Sequence, residues 1–145
     1  MTDLGSPLHE TLDGMSTVEI RTSASASLIP TIRAVASDLA ARADFDLDAI
    51  SDLRMAVDEA CATLVDMAAA GSVLQCRFLV RPERIRVHAE VQAAEADTAV
   101  STETFGWRVL QTLADEVEAH YTPGKEGERA TVGIRLDKSA GDVPR

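Results

Sequence analysis

Apolar side chains recur along this chain with two periods, and the order in which those periods alternate predicts an architecture. In "TVEIRT", Val18 and Ile20 alternate with Glu19 and Arg21, the two-residue period of a half-buried strand. Leu28, Ile32, Val35 and Leu39 then fall three or four apart, a helical spacing that ends near residue 43. Ser27 is its candidate N-cap, and Pro30 is tolerated in the first turn. A second helix over residues 46–68 carries the stripe Ile50, Leu53, Val57, Cys61 and Leu64, with Gly71 supplying the stop. Leu74, Cys76, Phe78 and Val80, the turn "RPER", and Ile85, Val87, Ala89 and Val91 together read as a hairpin with one apolar face. Pro82 belongs in that turn, because a central strand needs its N–H.

Residues 92–103 show neither period and predict a connecting loop. "TFGWRVLQTLADEV" returns to helical spacing through Trp107, Leu110, Leu113 and Ala114. The strand candidates "EVEAHY" and "ATVGIRL", joined by "TPGKEG", close the pattern. Strands outnumber the crossovers that parallel pairing needs, and hairpins dominate. The expected fold is therefore α+β, a two-layer sandwich with a mixed, mainly antiparallel sheet and helices on one face. Residues 1–16 read as a flexible tail, 17–137 as a single domain and 138–145 as a second tail.

Composition narrows the function classes. The chain has 145 residues, enough for one core, and its 46% hydrophobic but 3% aromatic content leaves aliphatic side chains and alanine to fill it. A net charge of −10 opposes nucleic acid and anionic membranes, and makes a basic protein partner the natural one. The N-terminus has neither a basic nor an apolar region, and no stretch is long and apolar enough to span a bilayer, so the expected location is the cytoplasm. Cys61 and Cys76 read as buried reduced thiols, with a disulfide open only to a suitable folded distance. His9, His88 and His120 lie far apart in sequence and suggest neither a metal site nor a triad.

The second helix holds the one carboxylate pair worth weighing. Asp58 lies one turn after Arg54, which accounts for it as an exposed helical ion pair. Glu59 shares a stripe with Asp52, Thr63 and Asp66, opposite Val57. Its spacing admits two readings, a solvated face or the wall of a cleft roofed by the loop after Val91.

"DLDAISDLRMAVDEACATLVDMA" resembles the N-box helix of the GHKL, or histidine-kinase-like, ATPase fold as it occurs in bacterial anti-sigma factors. The pattern there runs approximately L-x-x-A-V-x-E-A-x-x-N-A-I-x-H-A. "FGWRVLQTLADEVEAHYTPGKEGERATVGIRL" resembles the same family's C-terminal stretch, and the likeness covers most of residues 17–137. It is nearest to the RsbW/UsfX-type serine kinases of the actinobacterial stress response. The resemblance implies that Glu59 is the catalytic general base towards a serine hydroxyl, since a base must hold negative charge beside the reacting groups. It places Thr63 where an asparagine holds Mg²⁺, Thr104 and Gly106 in the loop that cradles phosphate, Thr131 near the adenine, and Arg33 on the partner surface. Arg33 equally reads as the top of a solvated helix face, and Trp107 as core packing or a ligand contact.

Three departures from the family pattern bear on its cofactor, ATP with Mg²⁺. Thr63 reaches less far than a carboxamide. No glycine lies between Gly71 and Gly106, so the family's D-x-G-x-G box is "QAAEA" here. The phosphate loop keeps Gly106 alone, beside bulky Phe105 and Trp107, and Ala130 replaces the glycine before Thr131.

Nucleotide binding and kinase activity are accordingly expected to be weak or absent. The function implied is an anti-sigma factor that sequesters a stress-response sigma factor, forms a homodimer and is released by a STAS-type anti-anti-sigma protein. The alternatives are an active ATP-dependent serine kinase that phosphorylates that antagonist, and a small ligand-binding module unrelated to sigma factors.

Overall fold

The computed structural model describes residues 15–141, so the N-terminal tail expected before residue 15, with His9, and the last residues from 142 lie outside it. Strand β1 (Ser16–Ser23) leads through a one-turn 3-10 helix (Ala26–Leu28) into α1 (Ile29–Arg42) and α2 (Leu47–Met67). Strands β2 (Val73–Arg81) and β3 (Arg84–Gln92) form the hairpin, and α3 (Phe105–Leu113), β4 (Glu116–Thr122) and β5 (Thr131–Ser139) follow. Five strands make one sheet in the order β1-β2-β3-β5-β4. Every pairing is antiparallel, the limiting case of the mainly antiparallel sheet expected.

Local departures from the sequence reading have simple causes. The cap before α1 is Ser25, not Ser27: its side chain accepts from the Ser27 N–H at 3.3 Å and starts the 3-10 turn, so α1 itself begins at Ile29, just ahead of Pro30. Glu83 takes up φ 61° in the two-residue β2–β3 turn, the left-handed second position of a type II turn whose first position is set by Pro82. Strand β5 continues to Ser139 because its last residues pair with Ile85 and Arg84 at the far end of β3. No helix among the described residues is long and apolar enough to cross a membrane.

The core lies between the sheet and the helices. Leu74, Cys76 and Phe78 of β2, Ile85, Val87, Ala89 and Val91 of β3 and Val132, Ile134 and Leu136 of β5 are buried against Leu53, Val57, Cys61 and Leu64 of α2. Alanines at positions 36, 40, 49, 56 and 60 are buried as well, which lets helices α1 and α2 approach closely without large side chains. Cys61 Sγ and Cys76 Sγ stand 3.9 Å apart as free thiols, and the hydrogen bond between them, with burial, holds the Cys61 thiol well above its ordinary range.

The sheet's other face carries ion pairs in place of a second helical layer: Arg77–Glu19 at 3.5 Å, Arg135–Glu118 at 2.9 Å and Arg86–Asp137 at 2.8 Å. Asp137 is the buried member of this set, its side chain 2% exposed. Burial alone would raise its pKa, but the hydrogen bond and charge of Arg86, with Arg84 and Arg135, outweigh that and lower it. A carboxylate with a depressed folded pKa stabilises the fold above its unfolded value and loses that contribution as pH falls through the folded one. Asp137→Ala is expected to cost about 1–2 kcal/mol at pH 7, because both arginines left behind can still reach water. Urea unfolding of variant and wild type should show that difference shrinking below about pH 4.

Candidate functional site

Helices α2 and α3 meet where the family resemblance puts the chemistry. Glu59 and Thr63, one turn apart on α2, share one wall, and the Thr63 hydroxyl donates to Glu59 Oε2 at 3.3 Å. The Glu59 carboxylate reaches the first turn of α3 and lies against Gly106, so closely that a Cβ added there would collide with Oε2. Thr104 is the N-cap of α3 and accepts from the Trp107 N–H at 3.0 Å. Four of the residues singled out from the sequence, Glu59, Thr63, Thr104 and Gly106, therefore come together at one helix N-terminus.

The electrostatics of that terminus follow from its occupants. Free N–H groups and the helix dipole make the first turn of a helix attractive to anions. Glu59 brings a carboxylate up against the second residue of α3, while its recorded hydrogen bond is to Thr63. A carboxylate so placed is worth about 0.3–1 kcal/mol to the fold. The Thr104 hydroxyl is engaged by its own helix and the Thr63 hydroxyl by Glu59. Trp107 is buried in the core, which decides between its two readings in favour of packing, while Phe105 is 80% exposed.

Further along α2, the loop after β3 is sewn to the end of that helix. Ala69 N–H donates to the Gln92 carbonyl at 2.9 Å and Ala94 N–H to the Met67 carbonyl at 2.8 Å. Arg129 adds a clamp, its Nη1 donating to the carbonyls of Ala94 at 2.9 Å and Ala93 at 3.4 Å. The cleft that remains is lined by Asp66, Met67, Ala93, Ala94, Glu95 and Thr98 and encloses about 210 Å³. That is below the roughly 300–1,000 Å³ of ordinary small-molecule sites, and its two charged lining residues are acidic.

Thr131 is not part of this group. Val132 faces the core, so by alternation Thr131 faces the opposite side of the sheet, where with Arg21, Gln75, Glu90 and Gln92 it lines a separate cleft of about 310 Å³. Arg33 is apart too. Its Nη1 donates to Asp58 Oδ2 at 3.0 Å, with the two side chains 36% and 34% exposed. The sequence reading gave Asp58 to Arg54; packing of α1 beside α2 brings Arg33 closer.

The reading that the histidines lie far apart is also corrected. His88 and His120 stand on β3 and β4, either side of β5, and their Nε2 atoms meet at hydrogen-bonding distance. Burial, and then the charge of His120, lower the His88 pKa. Nothing in the sequence showed the insertion of β5 between β3 and β4, which brings the two rings together. Nor did anything local mark Arg129, whose carbonyl partners lie about 35 positions away.

The chain matches the family model of the histidine kinase-like ATPase domain over residues 22–134. It is 32% identical over 122 residues to the anti-sigma-F factor RsbW of Mycobacterium tuberculosis, in strains CDC 1551 / Oshkosh and ATCC 25618 / H37Rv alike. The match covers 83% of this chain and 71% of that relative.

Proposed function

The chain belongs to the RsbW-type anti-sigma factors of the histidine kinase-like ATPase family, and from that membership we propose that it restrains a sigma factor by direct binding, without nucleotide chemistry. One observation supports the second half of this reading: the Glu59 carboxylate lies against Gly106 in the first turn of α3, in the space a side chain there would take. A triphosphate arriving there meets a carboxylate and a single glycine in place of a glycine-rich cradle. The residues present do not fit ATP with Mg²⁺, and no step is assigned to either. The sewn β3 loop and the small acidic cleft beside it support the same conclusion.

Binding by surface alone is physically sufficient for such a protein, since inhibition needs only that the sigma factor's polymerase-binding or promoter-binding face be covered. The net charge of −10 supplies long-range attraction to a basic partner and raises the encounter rate. The partners we infer are a stress-response sigma factor, a STAS-type anti-anti-sigma protein that competes for the same face, and a second copy of this chain. The location inferred is the cytoplasm, where transcription initiates. Arg33 joins the partner surface by exchanging Asp58 for a carboxylate on the sigma factor, its side chain being 36% exposed.

Transcription by RNA polymerase with its cognate sigma factor tests the proposal. Inhibition is expected to be equal with and without ATP and Mg²⁺, and Glu59→Ala is expected to keep the inhibition constant within about twofold, the scale of a weak exposed contact. Association should slow by about tenfold or more between low and high salt, as charge-steered encounters do. Inhibition that requires ATP would instead support the serine kinase reading. That reading keeps one observation in its favour, the adjacency of Glu59 and Thr63 at a helix N-terminus.

A further inference from the structure

On the sheet face turned away from the helices, strand register brings three metal-ligating side chains to one point. Glu90 of β3 stands opposite Gly133 of β5, and Gly133 stands opposite His120 of β4, so the three lie in one row across adjacent strands. His88 is two residues before Glu90 and shares its face. Any side chain at Gly133 would fill the space between them, since a Cβ there would run into the His120 ring. With glycine at this position the two imidazoles lean towards each other over the middle strand, their centroids 4.5 Å apart and their planes inclined by 55°.

The atoms that converge are the ones a metal takes. His88 Nε2 faces His120 Nε2, and Glu90 Oε2 lies 3.8 Å from His88 Nε2. One ligand atom from each of the three residues lies within 4.8 Å of the others. Two facing Nε2 atoms cannot both carry protons; one donates to the other, or both turn lone pairs to a shared cation. Ligands about 2.0–2.2 Å from a tetrahedral ion sit about 3.3 Å from one another, a spacing reached by small rotamer changes. His88 and Glu90 are 28% and 30% exposed, which leaves room for those changes and for a water in the fourth position.

We propose that His88, Glu90 and His120 form a binding site for a divalent transition metal ion, Zn²⁺ first, on the outer face of the sheet. Two imidazoles and one carboxylate form the donor set that borderline ions favour, whereas Mg²⁺ and Ca²⁺ favour oxygen alone. The surrounding charges permit it. Arg77 and Arg135 flank His88 and would repel a cation, but each is already paired, with Glu19 and Glu118 respectively. Glu90 has no arginine or lysine partner among the described residues, and its carboxylate is free for the ion. A bound ion would tie the edge strand β4 to β3 across β5. Its position, on the opposite side of the sheet from Glu59, makes it independent of the nucleotide question.

Isothermal titration of the untagged full chain with ZnCl₂, and its melting temperature with and without the metal, test the site. One equivalent is expected to bind, and a hundredfold excess over Kd should raise the melting temperature by about 5–10 °C. Replacing Zn²⁺ by Co²⁺ should give the intense visible bands of a tetrahedral ion. Glu90→Gln should weaken binding by about tenfold or more, His88→Gln with His120→Gln should abolish it, and His9→Ala should leave it unchanged. A variant-free control is the histidine ring region of the proton NMR spectrum, where Zn²⁺ should move the signals of two of the three histidines together. Absence of saturable binding, undiminished binding in the folded double-glutamine variant, or movement of fewer than two ring signals would overturn the proposal.

Discussion

Phe78→Ala is expected to remove about 3–5 kcal/mol from the unfolding free energy, the largest loss foreseen for any single truncation in this chain. Phe78 is fully buried at the middle of β2, opposite Val18 of β1 and Val87 of β3, on the face that meets the helices. With an aromatic content of 3%, the core has few other aromatic rings, and the cross-strand neighbours Val18 and Val87 are too short to fill the vacated space. The lost transfer energy and the unfilled cavity therefore add. A domain of this size has about 5–15 kcal/mol in total, so the variant should remain folded but near its limit. Equilibrium urea unfolding followed by circular dichroism should place its midpoint roughly 1–3 M below that of the wild type. A shift within a few tenths of a molar would mean that the core closes around the gap.

Gly133→Ala should destabilise the chain by about 1–3 kcal/mol, against the usual benefit of replacing a strand glycine. Alanine normally gains about 0.5–1 kcal/mol over glycine inside an element, because it loses less backbone entropy. At this site the added Cβ would stand 2.8 Å from the Ala89 carbonyl oxygen and against the His120 ring. The ring can rotate away, but the carbonyl belongs to the β3 backbone and can retreat only by distorting the β3–β5 ladder. Overpacking against backbone therefore outweighs the entropic gain. The comparison is thermal or urea unfolding of the two proteins in the presence of a chelator, which separates sheet strain from any effect of metal. Equal or greater stability in the alanine variant would show that the ladder relaxes at little cost.

Both predictions bear on what could be read in advance. The inward position of Phe78 was legible, because alternation in β2 and β3 placed Leu74, Cys76, Phe78, Val80, Ile85, Val87, Ala89 and Val91 on one face, where the structure has all of them buried but Val80, which is partly so near the end of β2. Gly133 looked like an ordinary strand residue. Its constraint comes from His120 and Ala89 on two different neighbouring strands, and a sequence carries no local mark of a neighbour that distant. The candidate site divides in the same way. Glu59 and Thr63 are four residues apart on one helix, so their contact followed from helical period, whereas Thr104 was placed in the phosphate loop by resemblance and its role as the α3 N-cap came from the structure. The approach of Glu59 to Gly106 depended on how α2 and α3 dock. Thr131 was assigned by resemblance alone, and strand alternation from buried Val132 puts it on the opposite face.

By itself, the sequence determined the elements, the buried faces of α2 and of the β2–β3 hairpin, the α+β class and the family, because these rest on short-range periodicity and on motif strings within single elements. On α1 the fully buried face is Ile32, Ala36 and Ala40, with Val35 and Leu39 of the expected stripe only partly buried. The tertiary structure alone decided that β5 enters between β3 and β4, and also the pairings between separate elements, among them Arg86 with Asp137, Lys138 with Asp52, Arg33 with Asp58, and His88 with His120. The physical reason is that a side chain's orientation is set within a turn or two of its own backbone. Its partner is set by how separate elements exclude water together, and that choice belongs to the whole fold.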